Sequence, residues 1–477
     1  MTHRFDPDGQ RLPIKLDSTS NAEYEPIPLE PHNQYANVLA HEAAEATARR
    51  LNVSRRGFLV SACGVASTLL AINRANASAG RRAGFFEVSS EAPVEGELAA
   101  AELGKQEFIF DVQGHYVPPS VAASRKTKCS GESEPVSREY MRCLGADSFI
   151  KDVFLDADTD MMVLSFVPSR RDAEPLTIEE AAATRDIVEA MDGSHRLLLH
   201  GRVNPNQEGD LEDMDELAER WGVKAWKTYT QWGPDGEGFW MDDEVGIRFI
   251  ERARSLGVKN ICIHKGIPFG RRSYEHSLCT DIGRVAKAYP DVNFLIYHSG
   301  WIPGQPEGPY DPDRGEGIDE LIKSLEENGV GRNSNVYAEL GSTWRGLMRD
   351  VDSAAHGLGK LLKHVGEDNV LWGTDSIWYG SPQDQIQAFR TFQLSPELRE
   401  AHGYPEITPE LRAKVFGLNA LKPYAISIDE AKRRAANDPI SRGRANYAED
   451  PDPHYLTFGP KDRREFLRFL ALGGGNP

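Results

Sequence analysis

The chain has 477 residues, 40% hydrophobic and 27% charged, with a formal net charge of −18. That length can bury a large core, and the composition is that of a soluble globular protein. The acidic balance argues against the basic footprint of nucleic-acid binding, and no apolar run reaches the ~18 residues of a membrane span. Neither a nucleic-acid partner nor a stable membrane span is therefore expected.

Residues 1–53 are polar and Pro-containing, with no core pattern, and are expected to form a disordered leader. Ser54-Arg55-Arg56-Gly57-Phe58-Leu59 then precedes the apolar stretch Val60 to Ile72 and the small residues Ala75-Asn76-Ala77. Paired arginines, a short apolar segment and small residues before a cut site fit an export signal resembling the twin-arginine type. Residues 54–77 are thus expected to engage the twin-arginine export machinery. The destination would be periplasmic or otherwise extracytoplasmic, with a cut after Ala77. Residues 78–105 read as a small-residue, acidic linker.

From Phe108 onward, strand-like runs alternate with amphipathic helical stretches. The strands are expected at Phe108–Val112, Met161–Val167, Arg196–Val203, Val223–Tyr229, Asn260–His264, Asn293–His298, Asn335–Leu340 and Val370–Thr374. This alternation predicts the α/β class and a (β/α)8 TIM barrel over residues 106–425, near the usual size of roughly 250 residues. An open doubly wound sheet would be expected to carry a Gly-rich phosphate turn after its first strand, and none is present. Residues 118–158 form a long polar insertion between the first two strands, suited to capping the barrel mouth. Residues 426–477 read as an irregular tail ending in a docking helix with Phe466, Leu467, Phe469, Leu470 and Leu472 on one face. Of the five cysteines, Cys63 lies in the signal, while Cys129, Cys143, Cys262 and Cys279 allow either disulfides or buried thiols.

Four strings end apolar runs in side chains that bind metals or move protons: Asp111-Val-Gln113-Gly-His115, Ile263-His264-Lys265, Tyr297-His298-Ser299 and Gly373-Thr374-Asp375. A barrel builds its active site at these C-terminal strand ends. Alternation would point Asp111, Gln113 and His115 the same way. Two imidazoles and a carboxylate suit Zn, Mn or Fe(II).

Apart from Gln113, these residues resemble the amidohydrolase superfamily, whose order is Asp-x-His-x-His on strand one, His on five, His on six and Asp on eight. The nearer likeness is to its amidohydrolase-related branch, with the aminocarboxymuconate-semialdehyde decarboxylase-like enzymes, and it extends over about Phe108 to Tyr424. The resemblance implies a divalent metal, Zn first and Mn or Fe as alternatives, held by His115, His264 and Asp375. His298 would be the acid/base and Asp375 would orient or deprotonate water. Gln113 stands where the family usually has its first histidine, and a neutral amide oxygen is a weak ligand beside imidazole. Branch relatives also suggest a homodimer, and Lys227 invites comparison with the carboxylated lysine of binuclear members.

Trp232, Trp301, Trp344 and Trp378 fall a few residues beyond strands four, six, seven and eight, with Trp240 nearby, which suits a planar or apolar small-molecule substrate. Arg345, with Arg271 and Arg272, could clamp a carboxylate. The leading expectation is an exported metal-dependent hydrolase or decarboxylase. The alternatives are a metal-independent lactonase-like hydrolase and a catalytically degenerate barrel acting as a binding protein.

Overall fold

The computed structural model describes residues 6, 9, 11–116, 146–172, 174–193, 195–268, 274–435, 439–453, 455 and 457–472. Eight parallel strands follow one another around a single sheet: β1 (Phe110–Gly114), β2 (Met161–Leu164), β3 (Leu197–Arg202), β4 (Ala225–Tyr229), β5 (Asn260–His264), β6 (Asn293–Tyr297), β7 (Val336–Glu339) and β8 (Val370–Leu371). Hydrogen bonds from Val112 N to Trp372 O (3.0 Å) and from Asp375 N to Gln113 O (3.0 Å), with a parallel bridge between Gly114 and Ser376, join β1 to the chain beyond β8. The sheet closes, giving the expected TIM barrel.

The strands are nearly unbroken apolar runs because both of their faces are covered. Val163, Leu198, Cys262, Leu295 and Tyr337 meet along the barrel axis, whereas Ile261, Phe294 and Trp226 face the surrounding helices. Those helices bury one stripe each, for example Ile318, Leu321, Ile322 and Leu325 of Gly317–Asn328. Local signals set their limits. Thr177 and Glu180 form a reciprocal capping box at the start of Ile178–Asp192, and Gly193 ends that helix in the left-handed conformation.

The N-terminal region departs from expectation. Instead of a disordered leader, the chain forms α1 (Pro31–Leu51), α2 (Arg55–Leu59) and α3 (Ala62–Ser78). Ala36, Ala40, Ala44 and Ala48 make a buried small-residue stripe on α1, which packs against α3 with its buried Ala66, Leu69, Ile72 and Ala75. Asn73 exchanges two hydrogen bonds with the Phe86 backbone, tying α3 to the strand Gly84–Phe86, itself paired with Phe392–Leu394. The expected linker therefore contains this strand and the helix Gly96–Leu103.

Ahead of α1, residues 12–24 run without helix or strand, and Lys15, Asp17, Asn21 and Glu23 are buried along with Leu12, Ile14 and Leu16. Leu12, Ile14 and Leu16 alternate into the core, while polar partners hold the stretch around Asn21 and Glu23, which a hydrophobic-pattern reading passes over.

At the other terminus, Thr457 Oγ1 meets Thr19 Oγ1 (2.8 Å) and Pro460 O accepts from Ser20 N (2.9 Å). The final helix, Arg463–Leu472, leaves Leu467 45% exposed, so that part of its expected docking face is uncovered. Cys63, Cys262 and Cys279 are buried free thiols. Cys129, Cys143 and most of the 118–158 insertion lie outside the described residues, as do Arg271 and Arg272.

Candidate active site

The chemistry-bearing residues gather at the C-terminal ends of the strands, in two groups. The first joins β1 to β8. A register shift between Asp111 and Gly114 breaks the alternation of β1. Phe110 and Val112 line the interior, yet Gln113 and His115 also reach the mouth. Asp111 does not point with them. It accepts from Gln113 N (3.0 Å), Thr374 N (3.2 Å) and the Thr374 hydroxyl, fastening β1 to β8.

Gln113 Nε2 donates to Asp375 Oδ1 (3.1 Å) and lies 3.3 Å from His115 Nε2, which is itself 3.1 Å from Asp375 Oδ1. The other oxygen, Asp375 Oδ2, accepts from Asn21 Nδ2 (2.7 Å) and Ser342 Oγ (2.5 Å). Burial disfavours the charged Asp375, but the His115 contact and the Ser342 bond outweigh it and hold the carboxyl well below its ordinary range.

The second group belongs to β5 and β6. His264 ends β5, His298 follows β6, and their rings meet edge to face at 4.4 Å. His264 Nε2 bonds Ile267 O (3.1 Å) and His298 Nδ1 bonds Gly341 O (2.6 Å). A carbonyl only accepts, so each neutral ring commits its N–H there. His264 Nδ1 and His298 Nε2 are then the lone-pair nitrogens. Burial drives the His264 pKa well down and lowers that of His298 to about 4, so both rings are neutral near pH 7.

Glu23, from the N-terminal segment, completes this group. Its Oε1 lies 3.8 Å from His264 Nδ1 and accepts from Tyr229 OH (3.3 Å), while Oε2 accepts from Asn21 Nδ2 (2.6 Å). Glu23, His264 and His298 each offer one ligand atom within 4.8 Å of the others. Burial and the neighbouring Asp375 raise the Glu23 carboxyl to about 8, with Lys227 and the Asn21 bond opposing. Glu339, at the end of β7, is likewise raised to about 8 by burial, against the bonds it accepts from His298 N (3.0 Å) and Gly341 N (2.6 Å). Lys227 lies over the rings of Tyr297 (3.9 Å) and Tyr229 (4.7 Å), and burial lowers it to about 8, with Glu23 the leading opposing charge.

A divalent cation fits the second group. Its three acceptor atoms are buried and converge, and His298 Nε2 has no hydrogen-bond partner among the described residues. Glu23 and Glu339, both raised to about 8 by burial, hold their protons near neutral pH, and a bound cation would favour their charged forms. The expected ligand set is therefore divided. His115, Gln113 and Asp375 stand together, whereas His264 faces His298 and Glu23.

His298 (φ 66°), Ser342 (φ 54°) and Asp375 (φ 57°) all occupy the left-handed region. Non-glycine residues there store backbone strain of order 1–3 kcal/mol each, a feature that clusters at active sites.

The expected substrate contacts mostly serve the scaffold. Trp344 is buried against Phe389 and Phe392 and donates to Gln385 O (3.0 Å). Arg345 bonds the Lys15 carbonyl and Asp17, so its guanidinium is already paired. Trp301 packs edge to face on Tyr24 at 6.1 Å, and the Trp378 carbonyl accepts from Phe458 N (2.8 Å). Both lie under the terminal segments. Glu339 could have been found by the same strand-end rule that found His264. Nothing in the residues around Glu23 or Asn21 signalled a role.

The amidohydrolase family model matches residues 111–426, which include the whole barrel except the first residue of β1. The chain belongs to the amidohydrolase family. The match starts well after Glu23. No curated protein matches the chain. Among solved structures, it is similar to 5-carboxyvanillate decarboxylase from Sphingomonas paucimobilis, with 13% identity over 68% of this chain and 100% of that one, at a TM-score of 0.42. It is also similar to 2,6-dihydroxybenzoate decarboxylase from Rhizobium, with 15% identity over 67% and 99% and a TM-score of 0.40. A third is 4-oxalomesaconate hydratase from Rhodopseudomonas palustris, with 14% identity over 67% and 96% and a TM-score of 0.40.

Proposed function

We propose that this amidohydrolase-family protein is an exported, metal-assisted hydrolase or decarboxylase acting on a small carboxylated or planar substrate. The observation that carries the reading is the pair of buried imidazoles whose fixed tautomers turn lone pairs into one space. His264 and His298 would hold the cation, with Zn, Mn and Fe(II) the metals suited to such donors. A cation bound there supplies Lewis-acid polarisation of a substrate oxygen and activation of water.

The residues divide the remaining work. With a pKa near 4 and its Nδ1–H tied to Gly341 O, His298 is a poor proton donor, so ligation suits it better than the acid/base role first expected. The His115–Asp375 pair is better placed to move a proton, since Asp375 Oδ1 lies 3.1 Å from His115 Nε2 and orients the imidazole. Lys227 Nζ, buried with no hydrogen-bond partner among the described residues, is suited to receive a substrate carboxylate, the part Arg345 cannot play.

Metal analysis of the purified full-length protein, followed by assay of hydroxybenzoates, lactones and amides, tests the reading. Near-stoichiometric Zn, Mn or Fe that disappears in His264→Ala, with carbon dioxide or a new acid released, supports it. No metal under any loading condition would leave a metal-free lactonase or a binding protein. The Ser54–Leu59 pattern supports export, and Lys at both Arg55 and Arg56 should retain the protein in the cytoplasm on cell fractionation. Light scattering would test the homodimer that the family resemblance implies.

A further inference from the structure

Resting on that metal-assisted reading, we infer that Glu23 is the carboxylate ligand of the metal. A segment outside the family domain thereby completes the site. The first strand serves poorly, because Gln113 replaces a histidine, turns its amide nitrogen to Asp375 and offers only a neutral amide oxygen, a weak ligand beside imidazole. Asp375 is equally committed: Oδ1 faces Gln113 and His115, and Oδ2 accepts from Asn21 and Ser342. Glu23 Oε1 differs. It accepts a long bond from Tyr229 OH at 3.3 Å, and it faces His264 Nδ1 at 3.8 Å. With His298 Nε2, this places three acceptors in one buried space, an arrangement that a cation relieves.

The segment is anchored firmly enough to position a ligand. Lys15 Nζ donates to Tyr379 O (2.9 Å), Arg345 pairs with Asp17, and Asn21 Nδ2 holds both Glu23 Oε2 and Asp375 Oδ2. Two imidazoles and one carboxylate define the ligand class as a first-row divalent transition metal. A chain cut after Ala77 would lack Glu23, so the metal-competent form retains residues 12–24.

The test uses Co(II) as the probe on the full-length protein and on Glu23→Gln, Glu23→Asp, Asp375→Asn and His264→Ala, with folding checked by circular dichroism. Removing outer-shell partners typically costs 10–100-fold in metal affinity, so loss of a direct ligand in Glu23→Gln should weaken Co(II) binding by at least ~100-fold and alter its visible absorption. Asp375→Asn should keep Co(II) with a nearly unchanged spectrum. Unchanged affinity and spectrum in Glu23→Gln would overturn the assignment. If His264→Ala still lost the metal in that case, the metal-assisted reading would survive alone. A wild type that binds no Co(II), Zn or Mn would remove both. Should Glu23→Gln fail to fold, Glu23→Asp decides: a shifted spectrum supports ligation, and an unshifted one opposes it.

Discussion

The two sides of the barrel mouth hold similar residues in opposite states. Between β1 and β8, the Gln113 amide nitrogen and His115 converge on one oxygen of Asp375, and Asn21 and Ser342 occupy the other. Between β5 and β6, the N–H groups of His264 and His298 are tied to carbonyls, so their lone pairs converge on Glu23. The Asp375 carboxylate is enclosed by four polar neighbours, whereas on the other side two imidazole nitrogens and one Glu23 oxygen share a space. On the proposed reading, metal affinity should follow the converging acceptors more than the number of histidines on a side.

The strongest way to break the comparison is to remove an acceptor from the β5–β6 side. His264→Ala should abolish stoichiometric metal, read by elemental analysis, and reduce turnover to background. Retained metal would mean the ion sits elsewhere. Next, His115→Ala should lower kcat by roughly 10²–10⁴-fold, the usual range for a lost acid/base group, while metal content stays intact. Loss of metal in that variant would return His115 to the ligand set.

Gln113→His sharpens the contrast further, because the new imidazole would join His115 and Asp375 as a third donor on the β1–β8 side. Titration should reveal a second, weaker equivalent of metal beside the first. A single equivalent of higher affinity would instead show that both sides serve one ion.

How much of this could be read from the sequence depends on the kind of force involved. The barrel was legible because its strands are apolar runs, and His264, His298 and Asp375 were legible because they end such runs. Asp111 misled, since the register shift in β1 leaves no mark in residue type. Trp344 and Arg345 also misled: their positions beyond β7 are shared by mouth residues and scaffold residues alike. Glu23 and Asn21 stayed hidden because they follow the apolar alternation of Leu12, Ile14 and Leu16, in a stretch held by individual hydrogen bonds.

The anchoring of that segment predicts a smaller but measurable effect. Arg345→Ala would leave Asp17 buried without its guanidinium partner, and breaking a buried pair costs about 3–5 kcal/mol. Thermal unfolding should shift down, with faster proteolysis within residues 12–24. Unchanged protease resistance would show that the segment does not depend on this pair.

The smallest effect lies away from the mouth. Burial, with His402 and Lys360, holds His356 down to about 4 from 6.5, opposed by Asp352 and Asp319, and its Nδ1 lies 3.3 Å from Tyr404 OH. The unfolded chain then binds the proton more readily, so stability is complete above about pH 6.5 and declines as pH falls towards 4. His356→Gln should flatten part of that decline in melting temperature, and an identical profile would remove His356 from the account.

The most direct test of the central claim is an anomalous-diffraction map of crystals of the full-length protein loaded with Mn or Zn. The account predicts one strong peak within bonding distance of Glu23, His264 and His298. A peak between His115 and Asp375, with Glu23 unligated, would contradict it.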